Sequence, residues 1–167
     1  MSAMPPTPNR LLEIYLADHL AASTAGLALV RRTAASNAGT ALGDVLRRLV
    51  TEIEDDRRTL QRIVAELGFR ESKPKDAVAW LGEKLGRLKL NGQLRGYSPL
   101  SRVLELEALS VGVAGKRALW QSLQSVPGLS ERLSGFDLDH LAERARRQRA
   151  EIEEQRINAA SEAFGSR

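Results

Sequence analysis

The 167-residue sequence contains no cysteine, and this absence excludes several kinds of chemistry at once. Disulfides, thiolate nucleophiles and cysteine-ligated zinc or iron–sulfur sites all require a thiol. Only two histidines are present, so a hydrolytic triad has little material to draw on. A chain without disulfides is typical of a reducing compartment, and we expect a cytoplasmic location.

Long hydrophobic runs are also lacking. The most apolar stretch, residues 20–30, is shorter than the roughly 20 residues that a membrane-spanning helix needs. The first ten residues lack the apolar core of a signal peptide, so we expect no membrane partner. The net charge of +4 comes from 25 basic and 21 acidic residues that are interspersed along the chain. No unbroken basic stripe results, and a nucleic-acid partner is not expected.

Six prolines punctuate the chain, each at an end of a periodic segment or between two such segments. This placement predicts four long helices over residues 8–35, 41–68, 99–123 and 137–164. Thr7 and Ser98 are predicted caps, because each precedes a proline that can occupy the first helical position. After a flexible start at residues 1–7, we expect one domain that extends over residues 1–167.

The connections between these helices predict how they pack. Short turns at residues 36–40 and 126–135 should fold the first helix against the second and the third against the fourth. The segment 69–97, which contains a short amphipathic helix, is long enough to cross the length of the bundle. Helices two and three should therefore be parallel, in an all-α four-helix bundle with one long crossover. An exposed apolar patch on the short helix would favour a homodimer.

The second helix has the clearest apolar pattern, at alternating steps of four and three residues. This stripe consists of Leu42, Leu46, Leu49, Ile53, Asp56, Leu60, Ile63 and Leu67. Asp56 is its one acidic member. A carboxylate within a buried stripe needs a cation, a metal or a proton. Asp56 therefore marks a candidate site.

Polar residues also interrupt the stripes of the other helices. His19 does so in the first helix, Glu107 in the third and Gln148 in the fourth. The third stripe is predicted to comprise Leu100, Leu104, Glu107, Val111, Ala114 and Ala118. We expect His19, Asp56 and Glu107 to be largely buried, with His19 level with Asp56 across the first hairpin.

In helix lengths, crossover and mid-helix polar residues, the chain resembles the ferritin-like superfamily over nearly its whole length. The resemblance implies a ferritin-like bundle. Di-metal proteins of this superfamily have one Glu from each of two helices and a Glu-x-x-His motif from each of the other two. By position, the resemblance assigns Glu107 to the third-helix glutamate and Asp18 or His19 to the first-helix ligand.

The two Glu-x-x-His motifs are incomplete in this sequence. The second helix offers Glu52 with Asp55 or Asp56, and the fourth offers Gln148 with Glu151, but neither has the histidine. Two interpretations follow from this departure.

The favoured interpretation is a buried polar network without a cofactor, in which His19 donates to Asp56 and Arg57 or Arg102 neutralises Glu107. The protein would then be a non-catalytic structural or binding protein. The alternative is a reduced, oxygen-rich iron or manganese site formed by His19, Glu52, Asp56 and Glu107.

For three further patterns we favour a structural role over a functional one. The segment from Gly112 to Lys116 lacks the residues and the preceding strand of a phosphate-binding loop, and its two glycines are expected to let another helix approach closely. The arginines of residues 144–149 are followed by glutamates and predict a solvated face. Basic residues near the start of the third helix form an alternative anion site, although a solubilising role is favoured. These anion-site candidates are Arg87, Lys89, Arg95, Ser98 and Arg102.

Overall fold

A computed structural model describes residues 7–69 and 97–165 of the chain. Within these ranges the protein is all-helical and has no strand, as the sequence predicts. The helices are α1 (Pro8–Ser36), α2 (Ala41–Glu66), α3 (Pro99–Ser125), the single-turn α4 (Leu129–Arg132) and α5 (Leu138–Phe164). The predicted crossover, its short helix and the homodimer patch on that helix fall almost entirely on residues 70–96, outside the described ranges.

Each long helix begins with a side-chain cap. Thr7 and Ser98 accept hydrogen bonds from the backbone N–H groups of the third residue beyond them, as predicted. Thr40 and Asp137 cap α2 and α5 in the same way. A capping oxygen satisfies one of the N–H groups that a first helical turn leaves without a partner, so these four residues fix where the helices begin.

Contacts between helices define their directions. The turn after α1 lies beside the start of α3, because Asn37 Nδ2 donates to Tyr97 Oη at 3.1 Å. α2 also begins at that turn, so α2 and α3 run parallel from the same end of the bundle. α5 runs antiparallel to α3, since Arg102 near the start of α3 pairs with Glu162 near the end of α5.

The helices form a four-cornered arrangement. α1 packs against α2 and α3, α3 packs extensively against α5, and α2 approaches α5 more loosely. The predicted stripes of α2 and α5 face the common core. In α2 every member but Leu42 is buried. In α5 every member but Gln155 is buried, the predicted stripe being Leu141, Ala145, Gln148, Ile152, Gln155 and Ala159. None of the described helices is long and apolar enough to cross a membrane.

The predicted stripe of α3 is wrong. Glu107 is exposed and Val111 is 69% exposed, whereas the buried face holds Val103, Leu106 and Trp120. α3 packs against both α1 and α5, so apolar residues occur on more than one of its faces. For such a helix, periodicity alone does not indicate which residues face the core.

The expected role of the α3 glycines is also wrong. A Cβ atom added at Gly112 or Gly115 would meet nothing within 4 Å, so no helix depends on their small size for a close approach. Gly43, at the start of α2, is different. A Cβ there would lie 2.1 Å from the carbonyl oxygen of Asn37, so the turn between α1 and α2 can close only against a glycine.

Candidate functional site

Asp56 lies in the middle of the bundle, where α2, α3 and α5 meet, and is only 1% exposed. Both of its carboxylate oxygens bind side-chain cations. Lys116 Nζ, from α3, donates to Oδ2 at 2.5 Å, and Arg144 Nη2, from α5, donates to Oδ1. The buried negative charge is therefore paired with two positive charges from two other helices.

Gln148 connects this group to a second carboxylate. Its Oε1 accepts from Lys116 Nζ at 2.6 Å, and its Nε2 donates to Glu52 Oε2 at 2.8 Å. The amide can satisfy both neighbours in only one orientation, because its oxygen must face the ammonium and its nitrogen the carboxylate. We call these five residues, Glu52, Asp56, Lys116, Arg144 and Gln148, the middle cluster.

The charges of the middle cluster balance. Two carboxylates, from Glu52 and Asp56, face two cations, from Lys116 and Arg144. Burial lowers the pKa of the Lys116 ammonium below its usual value, and the neighbouring Asp56 carboxylate opposes this shift. A buried ion cluster persists when its charges are paired and its polar atoms are hydrogen-bonded. The charges of this cluster are paired, and both oxygens of Asp56 are hydrogen-bonded.

The sequence identified three of these five residues. Glu52, Asp56 and Gln148 were candidates, and the structure brings them together. His19 and Glu107 are not part of the cluster. Neither Lys116, considered only as part of a loop motif, nor Arg144, assigned to a solvated face, was expected there.

A signal for the missed residues was present in the spacing. Arg144 follows Leu141 by three residues and precedes Gln148 by four, and Lys116 has the same relation to Val113 and Trp120. Both basic residues thus continue apolar stripes, as Asp56 does. The other arginines of α5 fit the solvated face better: Arg146, for example, pairs with Glu143 one turn earlier and is exposed.

The predicted pairing of His19 with Asp56 is wrong, because Asp56 is occupied by Lys116 and Arg144. His19 is only partly buried and contacts the Tyr15 ring edge-on, with ring centroids 4.6 Å apart. Burial lowers the pKa of His19. Glu107, expected in the interior, is exposed on α3 because the helix presents a different face to the core.

A second buried carboxylate, which the sequence did not suggest, lies at the end of the bundle. Glu105 is 4% exposed; its Oε1 accepts from Arg32 at 2.7 Å and its Oε2 from Tyr97 Oη at 3.0 Å. Asn37 in turn donates to Tyr97. Burial raises the pKa of Tyr97 to about 12. These four residues, the end cluster, link the turn between α1 and α2 to the start of α3.

The proposed anion site is only partly described. Ser98 is buried and caps α3, while Arg102 donates to Glu162 at 2.8 Å. The two described members therefore already have protein partners. Arg87, Lys89 and Arg95 lie outside the described residues.

A transition-metal centre does not fit the side chains of the middle cluster. Among residues 7–69 and 97–165, no group of three or more His, Cys, Asp or Glu side chains is placed to hold a metal ion. Both oxygens of Asp56 already bind cationic nitrogens, and the ammonium of Lys116 lies between Asp56 and Gln148. A metal ion there would face a lysine and an arginine where an oxygen-ligand site needs acceptors.

Comparisons with known proteins do not assign this geometry to a family. No family model matches the chain, and no match was found among curated proteins or solved structures. Function is therefore inferred from the side chains of this chain.

Proposed function

We propose that the chain is a ferritin-like four-helix bundle in which lysine and arginine side chains take the place of metal ions, and that it acts as a structural or binding protein. The observation that carries the proposal is the pairing of Asp56 with both Lys116 and Arg144. A carboxylate whose two oxygens each bind a cation presents positive charge where a metal ion would have to approach, and it is a poor general base.

The helix arrangement supports the ferritin-like part of the proposal. α1 and α2 form an antiparallel pair, α3 and α5 form another, and α2 runs parallel to α3. The end of α2 and the start of α3 consequently lie at opposite ends of the bundle. The second and third long helices of a ferritin-like bundle are related in the same way.

The second candidate is the iron- or manganese-binding protein that the resemblance implies. It draws support from the proximity of two carboxylates, since Gln148 bridges Glu52 and Asp56. In this case Lys116 and Arg144 would have to withdraw before a metal could bind. The other expected ligands, His19 and Glu107, offer no support, because Glu107 is exposed and His19 lies against Tyr15.

Metal analysis combined with thermal unfolding separates the two candidates. Protein purified without chelator should contain no stoichiometric iron or manganese. A ligand that binds the native state raises the melting temperature. If no metal binds, adding iron or manganese should leave the melting temperature unchanged. A matched Asp56→Asn variant, with nearly the same shape, serves as the control. Stoichiometric metal, or a metal-dependent rise in melting temperature that Asp56→Asn abolishes, would establish the metal-binding alternative.

A further inference from the structure

Trp120 carries a polar N–H group into one of the most buried parts of the protein. Its side chain is 1% exposed, yet the indole Nε1–H has no acceptor among the described residues. Arg144 has a similar deficit: Nη2 donates to Asp56, but the buried Nε–H finds no acceptor within the described ranges. Buried polar groups in folded proteins are almost always hydrogen-bonded, so each of these donors indicates an acceptor nearby.

The register of α3 and α5 places these two donors at the same level. Lys116 Nζ donates to Gln148 Oε1 at 2.6 Å, so these two residues face each other across the antiparallel helices. Trp120 lies one turn further along α3, and Arg144 lies one turn back along α5. Because the helices run in opposite directions, both steps move the same way along the bundle, so Trp120 and Arg144 lie at the same level.

We propose that one water molecule is bound between α3 and α5 and accepts the Nε1–H of Trp120 and the Nε–H of Arg144. A water oxygen has two lone pairs and can therefore accept from both donors.

The charge of the neighbouring cluster decides between water and an anion. Asp56 and Glu52 already balance Lys116 and Arg144, so an anion would bring an unpaired charge into the interior. A neutral acceptor adds none. The water also completes the hydrogen bonding of Arg144, which keeps that guanidinium directed at Asp56.

Nuclear magnetic resonance of the ¹⁵N-labelled full chain tests the proposal directly. The chain has two tryptophans, and a Trp80→Phe variant assigns the indole signals. We expect the Trp120 indole proton to show a nuclear Overhauser effect to water. The sign of this effect should indicate that the water molecule stays bound for longer than nanoseconds. The absence of this effect would overturn the proposal. A chemical-shift change of the indole signal during titration with sodium chloride or phosphate would also overturn it, because an anion would then occupy the position.

Substitution of Arg144 tests whether the water is shared. Arg144→Lys keeps a cation for Asp56 but removes the Nε–H, so the water effect at Trp120 should weaken at least twofold. If this variant does not fold, Trp120→Phe permits the reciprocal measurement at the Arg144 Nε–H. An unchanged water effect at the remaining donor in either folded variant would show that the two donors do not share a water molecule.

Discussion

The middle and end clusters each contain a nearly inaccessible carboxylate, but they neutralise it differently. Asp56 is paired with two cations whose side chains are only 15% and 19% exposed. Glu105 is paired with one cation, Arg32, whose side chain is 36% exposed. Loss of Asp56 would leave two cations without a counter-charge in the interior, whereas loss of Glu105 would leave one that water can reach. The two acids are similarly buried, but we expect the loss of Asp56 to destabilise the protein more than the loss of Glu105.

The largest expected effect is that of Asp56→Ala. Removing one partner of a buried ion pair typically costs about 3–5 kcal/mol, because the remaining charge stays desolvated. Glu105→Ala should cost only about 1–3 kcal/mol, since Arg32 can turn to solvent. Urea unfolding monitored by circular dichroism measures both. Glu107→Ala, at an exposed position of the same helix, is the matched control and should change stability by less than about 0.5 kcal/mol. Equal costs for Asp56→Ala and Glu105→Ala would remove the distinction between the clusters.

A second comparison concerns the space around two glycines, one in the turn between α1 and α2 and one within α3. Gly43→Ala should destabilise the protein by about 1–3 kcal/mol, because the added Cβ would meet the backbone of Asn37 beside the end cluster. Gly112→Ala, with open space around the new methyl group, should stabilise the protein by about 0.5–1 kcal/mol through helix propensity. Thermal unfolding of the two variants measures the contrast. A neutral Gly43→Ala would show that the turn adapts without cost.

The end cluster should also respond to alkaline pH. The pKa of Tyr97 is raised from 10.0 to about 12 in the folded protein, so the unfolded chain loses the proton first. Stability from this group is complete below pH 10 and is lost as pH rises toward 12, by about 1–2 kcal/mol after allowance for its partial exposure. Lys116 has the opposite sign: its folded pKa is lowered, so this group favours folding as pH approaches 10.5.

Comparison of the wild type with Tyr97→Phe isolates the tyrosine contribution. The free energy of unfolding, measured from pH 9 to 12, should decline less steeply in the variant, because Lys116 titrates equally in both proteins. Parallel pH profiles would contradict a raised pKa for Tyr97.

The smallest expected effect is that of His19, and it tests the boundary of the middle cluster. Burial lowers the pKa of His19 below 6.5, so the unfolded chain binds a proton first as pH falls. Stability from this group is present above pH 6.5 and is lost through the lower folded pKa. His19→Gln should flatten the stability profile as pH falls below 6.5. A loss at pH 7 as large as that of Asp56→Ala would place His19 back in the network.

The contrast between α2 and α3 shows where sequence reasoning succeeds. α2 and α5 have charged residues on their outer faces and apolar residues on one stripe, so a single period locates the inward positions, Asp56 and Gln148 included. α3 carries apolar residues on exposed as well as buried faces, as Val111 and Val103 show, so the period admits more than one register. That ambiguity directed attention to the exposed Glu107 and away from the buried Glu105.

The sequence by itself determined the all-α class, the caps at Thr7 and Ser98, and the anomaly at Asp56. These features depend on local rules: proline and capping geometry within one turn, and the burial cost of a carboxylate in an apolar stripe. Only the tertiary structure decided which cations pair with Asp56. Lys116 and Arg144 are 60 and 88 residues away along the chain. Long basic side chains reach inward or outward according to how neighbouring helices rotate, and the rotation of each helix is set by packing against all the others.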